Sequence, residues 1–125
     1  MKKILVIDDE QTIRDTISLL LSARGFAVVT AADGLAGVKV ARQEKPDLVI
    51  SDIAMEPVVG FRFVEALHAR GFKDKDRIPT IFLTGHTERE IVIKAKQLGA
   101  DGFLVKPVSA KDLKARITFA MNRAD

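Results

Sequence analysis

Five short runs of strand-forming residues alternate strictly with five segments of helical period, and this alternation restricts the fold of the chain more than any other feature. The strand-like runs are rich in β-branched and other apolar residues and are bounded by turn or helix signals. They cover residues 3–7, 26–30, 47–52, 80–83 and 102–105. Strands and helices that alternate in this way predict a parallel sheet covered by helices on both faces.

The segments between these runs carry apolar residues at steps of three and four, which indicates amphipathic helices. We predict helices over residues 10–24, 34–45, 60–70 and 88–98, and a last helix that Ser109 caps. Gly25, Gly71 and Gly99 end three of them. The predicted inner faces include Ile13, Ile17, Leu20, Leu21, Leu35, Val38, Ala41, Phe61, Val64, Leu67, Leu113, Ile117, Phe119, Ala120 and Met121.

The length of 125 residues suits one domain, residues 1–125. Right-handed crossovers leave few arrangements of five parallel strands, and the common one is the doubly wound, flavodoxin-like α/β fold with strand order 2-1-3-4-5. In this order the first and third strands lie side by side at the switch point. Ligands of such sheets bind there, at the carboxyl ends of the strands.

The composition excludes several classes of function. Zero cysteines rule out disulfides and thiolate zinc sites, and His68 and His86 lack the spacing of paired metal ligands. No apolar run approaches the roughly 18 residues of a membrane span, so we expect a cytoplasmic protein with no membrane partner. The net charge of +3 arises wholly after residue 85, and without clustered aromatic residues it does not predict direct nucleic-acid binding.

Polar residues follow four of the five strand-like runs. Asp8 and Asp9 follow the first, Asp52 ends the third, Thr84 follows the fourth and Lys106 the fifth. The predicted strand order makes these residues neighbours, and crowded carboxylates recruit a cation, for which Mg²⁺ suits an oxygen-only donor set. With a lysine and a hydroxyl group beside them, they indicate phosphoryl transfer with Asp52 as nucleophile. The competing interpretation is that the acids cap a helix and that Lys106 is their ion-pair partner.

In these residues the chain resembles response-regulator receiver domains of two-component signalling, and the resemblance extends along essentially its whole length. The acidic pair, the acid at the end of the third strand, the Thr84–Gly85 pair and the Lys106–Pro107 pair all match the family pattern. The resemblance implies a chemotaxis-regulator-like switch that is phosphorylated on Asp52. The phosphoryl group would come from a histidine kinase or a histidine phosphotransfer protein.

The resemblance also implies roles for the surrounding residues. Asp9, Asp52 and the backbone carbonyl of Ala54 would bind Mg²⁺ directly, and Asp8 would act largely through water. Lys106 would contact the phosphoryl group, and its bond to Pro107 would be cis.

Receiver domains respond to phosphorylation by moving the threonine and turning an aromatic residue three positions before the lysine. Here these residues are Thr84 and Phe103, although an ordinary core role for Phe103 is an equally good interpretation. The expected output face is the fourth helix, fifth strand and fifth helix, for an unknown downstream protein or a second copy of the chain. This region carries basic residues, namely Lys94, Lys96, Lys111 and Lys114.

One stretch departs from the family pattern. Receiver domains commonly have proline four residues after the aspartate, whereas this chain has Glu56 there and Pro57 next, with Gly60 at its usual distance. We expect the loop after Asp52 to be reshaped and Glu56 to face solvent.

Three alternatives remain open from the sequence. The start at Met1 and the end at Asp125 fit a stand-alone receiver, but the chain could equally be the receiver part of a larger DNA-binding or enzymatic regulator. An aspartate-nucleophile phosphatase is a remote alternative, because that chemistry needs a second acid two residues after the nucleophile, where this chain has Ala54. A binding module that is never phosphorylated is disfavoured by the complete set of site residues.

Overall fold

Strands and helices alternate throughout the part of the chain that the computed structural model describes, which comprises residues 2–53, 60–85 and 89–124. The strands are β1 (Lys3–Ile7), β2 (Ala27–Ala31), β3 (Leu48–Asp52), β4 (Thr80–Thr84) and β5 (Gly102–Val105). The helices are α1 (Gln11–Ser22), α2 (Gly34–Glu44), α3 (Gly60–Leu67), α4 (Arg89–Leu98) and α5 (Ala110–Ala124). A single 3₁₀ turn at Gly71–Lys73 lies between α3 and β4.

All neighbouring strands are parallel, and their order in the sheet is β2-β1-β3-β4-β5. This confirms the predicted doubly wound, flavodoxin-like fold with order 2-1-3-4-5. In register, Ile7 pairs with Ser51 between β1 and β3, and Thr84 pairs with Val105 between β4 and β5. The carboxyl ends of the four strands that carry the predicted site residues therefore lie at the same edge of the sheet.

The sheet separates two apolar cores, because successive side chains of a strand point to opposite faces. On one face, Ile4 and Val6 of β1 pack with Ile17 and Leu21 of α1 and with Ile117 of α5. The opposite face is covered by α2, α3 and α4, and its buried side chains are Leu5, Ile7, Ala31, Ala41, Val49, Ile53, Phe63, Val64, Phe82 and Ala95.

Helix α2 approaches the sheet through small residues. Asp33 caps it by accepting a hydrogen bond from the Ala36 N–H at 2.8 Å, and Gly34, Gly37 and Ala41 form its buried face. The prediction that Leu35 belongs to the inner face is wrong, since its side chain is 64% exposed. At roughly 100° per residue, a position two residues from the buried Gly37 lies on the far side of the helix.

Helix α5 is also placed as predicted, with one exception. The Ser109 hydroxyl accepts a hydrogen bond from the Asp112 N–H at 3.1 Å, and Leu113, Ile117 and Ala120 are buried. Phe119 is 54% exposed, so its predicted burial is wrong. Consecutive residues of a helix point about 100° apart, and Ala120, three residues after the buried Ile117, occupies the core-facing position.

An ion pair braces the edge of the sheet opposite the strand ends that carry the acids. The Arg77 guanidinium donates both of its terminal N–H groups to the Asp101 carboxylate, and Asp101 Oδ2 also accepts from the Thr80 N–H at 2.8 Å. Both charged side chains are largely removed from solvent. Arg77, the last residue of a charged run over residues 73–77, is therefore not a solvated surface residue.

None of the helices in the described ranges has the length and apolar composition needed to cross a lipid bilayer.

Candidate functional site

Strand register and side-chain alternation together build the candidate site. Ile7 of β1 pairs with Ser51 of β3, so Asp8 and Asp52 come next to each other one residue further along. Both residues continue the alternation that places Val6 and Ile50 on the α1–α5 face of the sheet. Lys106 follows Leu104 of β5 in the same way, and its long side chain extends across β4 towards Asp52 of β3 and across β4 and β3 towards Asp8 of β1.

The Lys106 ammonium lies between two carboxylates. Its Nζ is 3.2 Å from Asp8 Oδ2 and 3.4 Å from Asp52 Oδ2. The backbone of Lys106 is held as well, because its N–H donates to the Thr84 carbonyl at 2.9 Å and so extends the pairing of β4 with β5. The structure thus brings Asp8, Asp52 and Lys106 together as predicted.

Carboxylate oxygens of Asp8, Asp9 and Asp52 lie within 4.8 Å of one another. Asp8 and Asp52 are buried and Asp9 is exposed. Asp8 Oδ2 is buried and makes no hydrogen bond within the described part of the chain, despite its proximity to Lys106. Oxygen donors with one solvent-facing side fit Mg²⁺, which keeps several of its waters. The residues present therefore suit this ion.

Burial and charge shift the proton affinities of this cluster. Burial raises the pKa of the Asp8 carboxyl above its ordinary value, and the hydrogen bond from Glu10 and the charge of Lys106 oppose the rise only in part. Burial acts against the Lys106 ammonium, but the carboxylates of Asp52 and Asp8 outweigh it and raise the pKa of the lysine. Lys106 is thus charged at neutral pH, and Asp8 lacks full compensation for its charge, which a bound cation would supply.

The acids do more than cap a helix. Asp8 Oδ1 accepts a hydrogen bond from the Glu10 N–H at 2.9 Å, which supports the turn before α1. The residue at the N-cap of α1 is Glu10, and its side chain makes no capping hydrogen bond. Asp8 therefore serves the turn with one carboxylate oxygen while the other faces Lys106 and Asp52.

The two predicted switch residues lie on the second face of the sheet by strand alternation. Thr84 is buried, and its hydroxyl donates to the Gly85 carbonyl at 3.1 Å. Phe103 is half-buried, with its ring centroid 6.1 Å from that of Phe82 and the Lys96 ammonium 5.6 Å from its own centroid. Both residues thus face the same side of the sheet, where Phe103 lies beside Lys96 of α4.

Several predictions concern residues 54–59 of the loop after Asp52, which lie outside the described residues. These are the metal-binding carbonyl of Ala54 and the departure at Glu56 and Pro57. His86 also lies outside them. The Lys106–Pro107 peptide bond is cis, as the resemblance implied.

Sequence reasoning did not identify Arg14 as part of the site. Its Nη1 donates to the backbone carbonyl of Asp8 at 2.6 Å. A side-chain contact to a main-chain atom leaves no signal in the residue types of the sequence. The only indication in the sequence was the spacing, because Arg14 stands six residues after Asp8, in the second turn of the helix that follows the strand.

Comparison with known proteins agrees with this geometry. Residues 4–118 match the response regulator receiver domain family. The chain belongs to this family. Its curated relatives include a probable transcriptional regulator, ycf27, from Porphyridium aerugineum, which is 39% identical over 99% of this chain and 50% of its own length. The regulatory protein PhoP of alkaline phosphatase synthesis in Bacillus subtilis is 33% identical over the same shares. The receiver domain spans about half the length of the curated relatives it matches.

Solved receiver structures superpose along nearly the whole chain. A response regulator receiver domain protein from Clostridium thermocellum has a TM-score of 0.87 at 35% identity, and the match covers 98% of this chain and 96% of that one. The chemotaxis protein CheY4 of Vibrio cholerae has a TM-score of 0.83 at 35% identity, with 96% and 98% covered. The domain is therefore homologous both to parts of transcriptional regulators and to a chemotaxis protein of its own length.

Proposed function

We propose that Asp52 of this receiver domain accepts a phosphoryl group from a histidine kinase or a histidine phosphotransfer protein. The observation that carries the proposal is the position of the Lys106 ammonium, 3.4 Å from Asp52 Oδ2 and 3.2 Å from Asp8 Oδ2. This ammonium lies at the edge of the sheet where the carboxylates of Asp8, Asp9 and Asp52 come together. Positioning and charge neutralisation account for most of the catalysis of phosphoryl transfer, and this cluster supplies both.

In the proposed reaction a carboxylate oxygen of Asp52 attacks the phosphorus of a phosphohistidine. The oxygen–phosphorus bond forms as the phosphorus–nitrogen bond breaks, and the electron pair of the broken bond stays on the imidazole nitrogen of the donor. Lys106, whose pKa is raised by its carboxylate neighbours, keeps the positive charge that the transferred group requires. Water later hydrolyses the acyl phosphate, which restores Asp52 and releases inorganic phosphate.

Mg²⁺ is the cofactor that we propose for this reaction. Asp9, Asp52 and the backbone carbonyl of Ala54 would hold it, with Asp8 acting through water. When bound, it would neutralise negative charge on the carboxylates and on the phosphoryl oxygens. The oxygen-only donor set supports this assignment, as does Asp8 Oδ2, which is buried, lies 3.2 Å from the Lys106 ammonium and accepts no hydrogen bond from the described residues.

The response to phosphorylation would begin at Thr84. Its hydroxyl would leave the Gly85 carbonyl and donate a hydrogen bond to the phosphoryl group. The Phe103 ring would turn in response to this movement of Thr84. Phosphorylation would thereby shift a two-state equilibrium of the surface formed by α4, β5 and α5. An unknown downstream protein, or a second copy of the chain, would bind that surface.

The domain would act as a switch and not as an enzyme with a separate substrate, since it catalyses only its own phosphorylation and dephosphorylation. We propose that residues 1–125 form one receiver unit that works in the cytoplasm and does not itself contact nucleic acid. A second candidate is the receiver part of a longer DNA-binding regulator, which is favoured by relatives that are transcriptional regulators of twice this length. The length of the encoded reading frame distinguishes the two.

Intact-mass spectrometry tests the proposal directly. After incubation with acetyl phosphate and Mg²⁺, we expect the wild type to gain one phosphoryl group and Asp52→Asn to gain none. The matched control is Asp112→Asn, which removes an exposed acid from the first turn of α5 and leaves phosphorylation unchanged. The proposal fails if the wild type gains no phosphoryl group or if Asp52→Asn gains as much. Rapid turnover of unrelated phosphate esters would instead support an aspartate-nucleophile phosphatase.

A further inference from the structure

Arg14 connects α1 to the residue that begins the acidic pair. The side chain is half-buried, and its Nη1 donates a hydrogen bond to the Asp8 backbone carbonyl at 2.6 Å. The donor is charged and the bond is short, so this contact belongs to the stronger class of protein hydrogen bonds.

Asp8 is held through nearly all of its polar atoms. Its N–H donates to the Ala31 carbonyl at 3.2 Å, its carbonyl accepts from Arg14, and its Oδ1 accepts from the Glu10 N–H at 2.9 Å. Oδ2 is the remaining atom, and it is the one that faces Lys106 at 3.2 Å. Contacts with β2, with the following turn and with α1 therefore fix the direction in which Oδ2 points.

Among the described residues, few other hydrogen bonds hold the turn between β1 and α1. Glu10 stands at the N-cap of α1 without a side-chain capping bond, and the first turn of α1 has no acidic residue. Asp9 lies inside this turn and is exposed. The position of Asp9 relative to Asp52 thus depends on how firmly the backbone of Asp8 is held. Arg14 donates a hydrogen bond to that backbone from within α1.

We propose that Arg14 is a positioning residue for the cation site, and that its hydrogen bond to the Asp8 carbonyl holds the carboxylates of Asp8 and Asp9 in place for Mg²⁺. This inference rests on the proposed function, because it takes the three-carboxylate cluster to be the site of that ion. Arg14 itself contacts neither the ion nor the reacting atoms.

Because Arg14 is charged, the direction in which its replacement changes the affinity for Mg²⁺ distinguishes two possible roles. Removing a positive charge close to a cation site strengthens cation binding by simple electrostatics. Losing a residue that orients the ligands weakens it, and outer-shell partners of metal ligands typically contribute 10- to 100-fold to affinity. A neutral replacement of Arg14 therefore tightens Mg²⁺ binding if the residue is only a nearby charge, and weakens it if the residue positions the ligands.

The test is the dissociation constant for Mg²⁺, measured by following backbone amide resonances in an NMR titration without any phosphodonor. We expect Arg14→Met to raise this constant roughly tenfold. Arg14→Lys can still donate one hydrogen bond and should recover part of the loss. The matched control is Arg24→Met, which removes the same charge just beyond the opposite end of α1 and should leave the constant unchanged. If Arg14→Met does not fold, Arg14→Gln replaces it as the neutral variant.

A neutral variant that is folded and binds Mg²⁺ as tightly as the wild type, or more tightly, would overturn the role of Arg14. In that case the wild type would still bind Mg²⁺ and be phosphorylated, so the proposed function would stand. If the wild type bound no Mg²⁺ at all, both proposals would fall.

Discussion

His68 joins the end of α3 to the segment that leads into β4. Its Nε2 accepts a hydrogen bond from the Ile78 N–H at 3.1 Å, which is possible only while that nitrogen carries no proton. Burial lowers the pKa of His68 below its ordinary value; the nearby Asp74 carboxylate opposes the shift, and the Arg77 guanidinium adds to it. The folded protein therefore favours the neutral imidazole.

This preference predicts a loss of stability in mild acid. With the pKa of His68 lower in the folded than in the unfolded chain, the unfolded chain binds more protons as the pH falls below about 6.5. The contribution of His68 is complete above that pH and is lost below it. We expect this contribution to the free energy of unfolding to be roughly 1 kcal/mol, which is typical of one hydrogen bond. Urea unfolding curves recorded between pH 8 and pH 5 measure its loss.

The variant His68→Gln keeps an acceptor near the Ile78 N–H and does not titrate. Its free energy of unfolding should therefore fall less than that of the wild type over the same pH range. The matched control is His86→Gln at the only other histidine of the chain. Equal pH dependence of His68→Gln and the wild type would contradict the assignment.

At the scale of elements, the position of α2 depends on a residue without a side chain. A Cβ atom added at Gly37 would lie 2.5 Å from Ile7 Cδ1 and 3.2 Å from Phe63 Cε2. Both neighbours are almost completely buried and have little room to move. Gly37 therefore sets how closely α2 packs on β1, the strand that leads into Asp8.

We expect Gly37→Ala to lower the free energy of unfolding by roughly 1 kcal/mol. Overpacking a core typically destabilises by about 1–3 kcal/mol, whereas the better helix propensity of alanine returns up to about 1 kcal/mol. Gly102→Ala is the matched control, since its Cβ would meet Ile81 Cγ1 at an ordinary 3.5 Å and should change stability by less than about 0.5 kcal/mol. Urea unfolding followed by circular dichroism suits a chain without tryptophan or tyrosine. An unchanged or higher stability of Gly37→Ala would refute the close-packing argument.

The elements themselves could be predicted because two periodicities and a few glycines and caps mark them clearly. Helix phase was harder to predict, and Leu35 shows why. Its apolar side chain suggested the inner face, but the glycines let α2 approach so closely that the small residues face the sheet. The pair of Arg77 and Asp101 was missed because its members are 24 residues apart and the arginine stands in a run of mixed charges.

At the scale of the whole molecule, the site could be predicted from the ends of the strands because parallel strands bring their carboxyl ends to one edge. Asp8, Asp52 and Lys106 meet for that reason, and their side-chain alternation agrees with the measured distances. Arg14 could not be found in this way, since its contact is with a backbone carbonyl. The loop after Asp52 is the part of the site for which Ala54, Glu56 and Pro57 remain predictions.

Cation binding at this edge should stabilise the fold as a whole. A ligand that binds only the folded state raises the free energy of unfolding by about 1.4 kcal/mol at ten times its dissociation constant. We expect Mg²⁺ to have this effect on the wild type, and the effect should largely disappear in Asp9→Asn. Asp112→Asn, which removes an exposed acid far along the chain, should retain it. Equal Mg²⁺ dependence of Asp9→Asn and the wild type, measured by urea unfolding, would show that Asp9 is not a ligand.

The ion pair between Arg77 and Asp101 restricts how α4 can move. After the helix ends, Gly99 turns the chain with φ of 99°, and Asp101 is tied to Arg77 and to the start of β4. The carboxyl end of α4 is thus anchored to the edge of the sheet remote from the acids. If this helix tilted, it would rotate about its anchored carboxyl end. Along its 10 residues, or about 15 Å, a tilt of roughly 8° would move the end nearest Thr84 by about 2 Å and leave the Asp101 end almost in place.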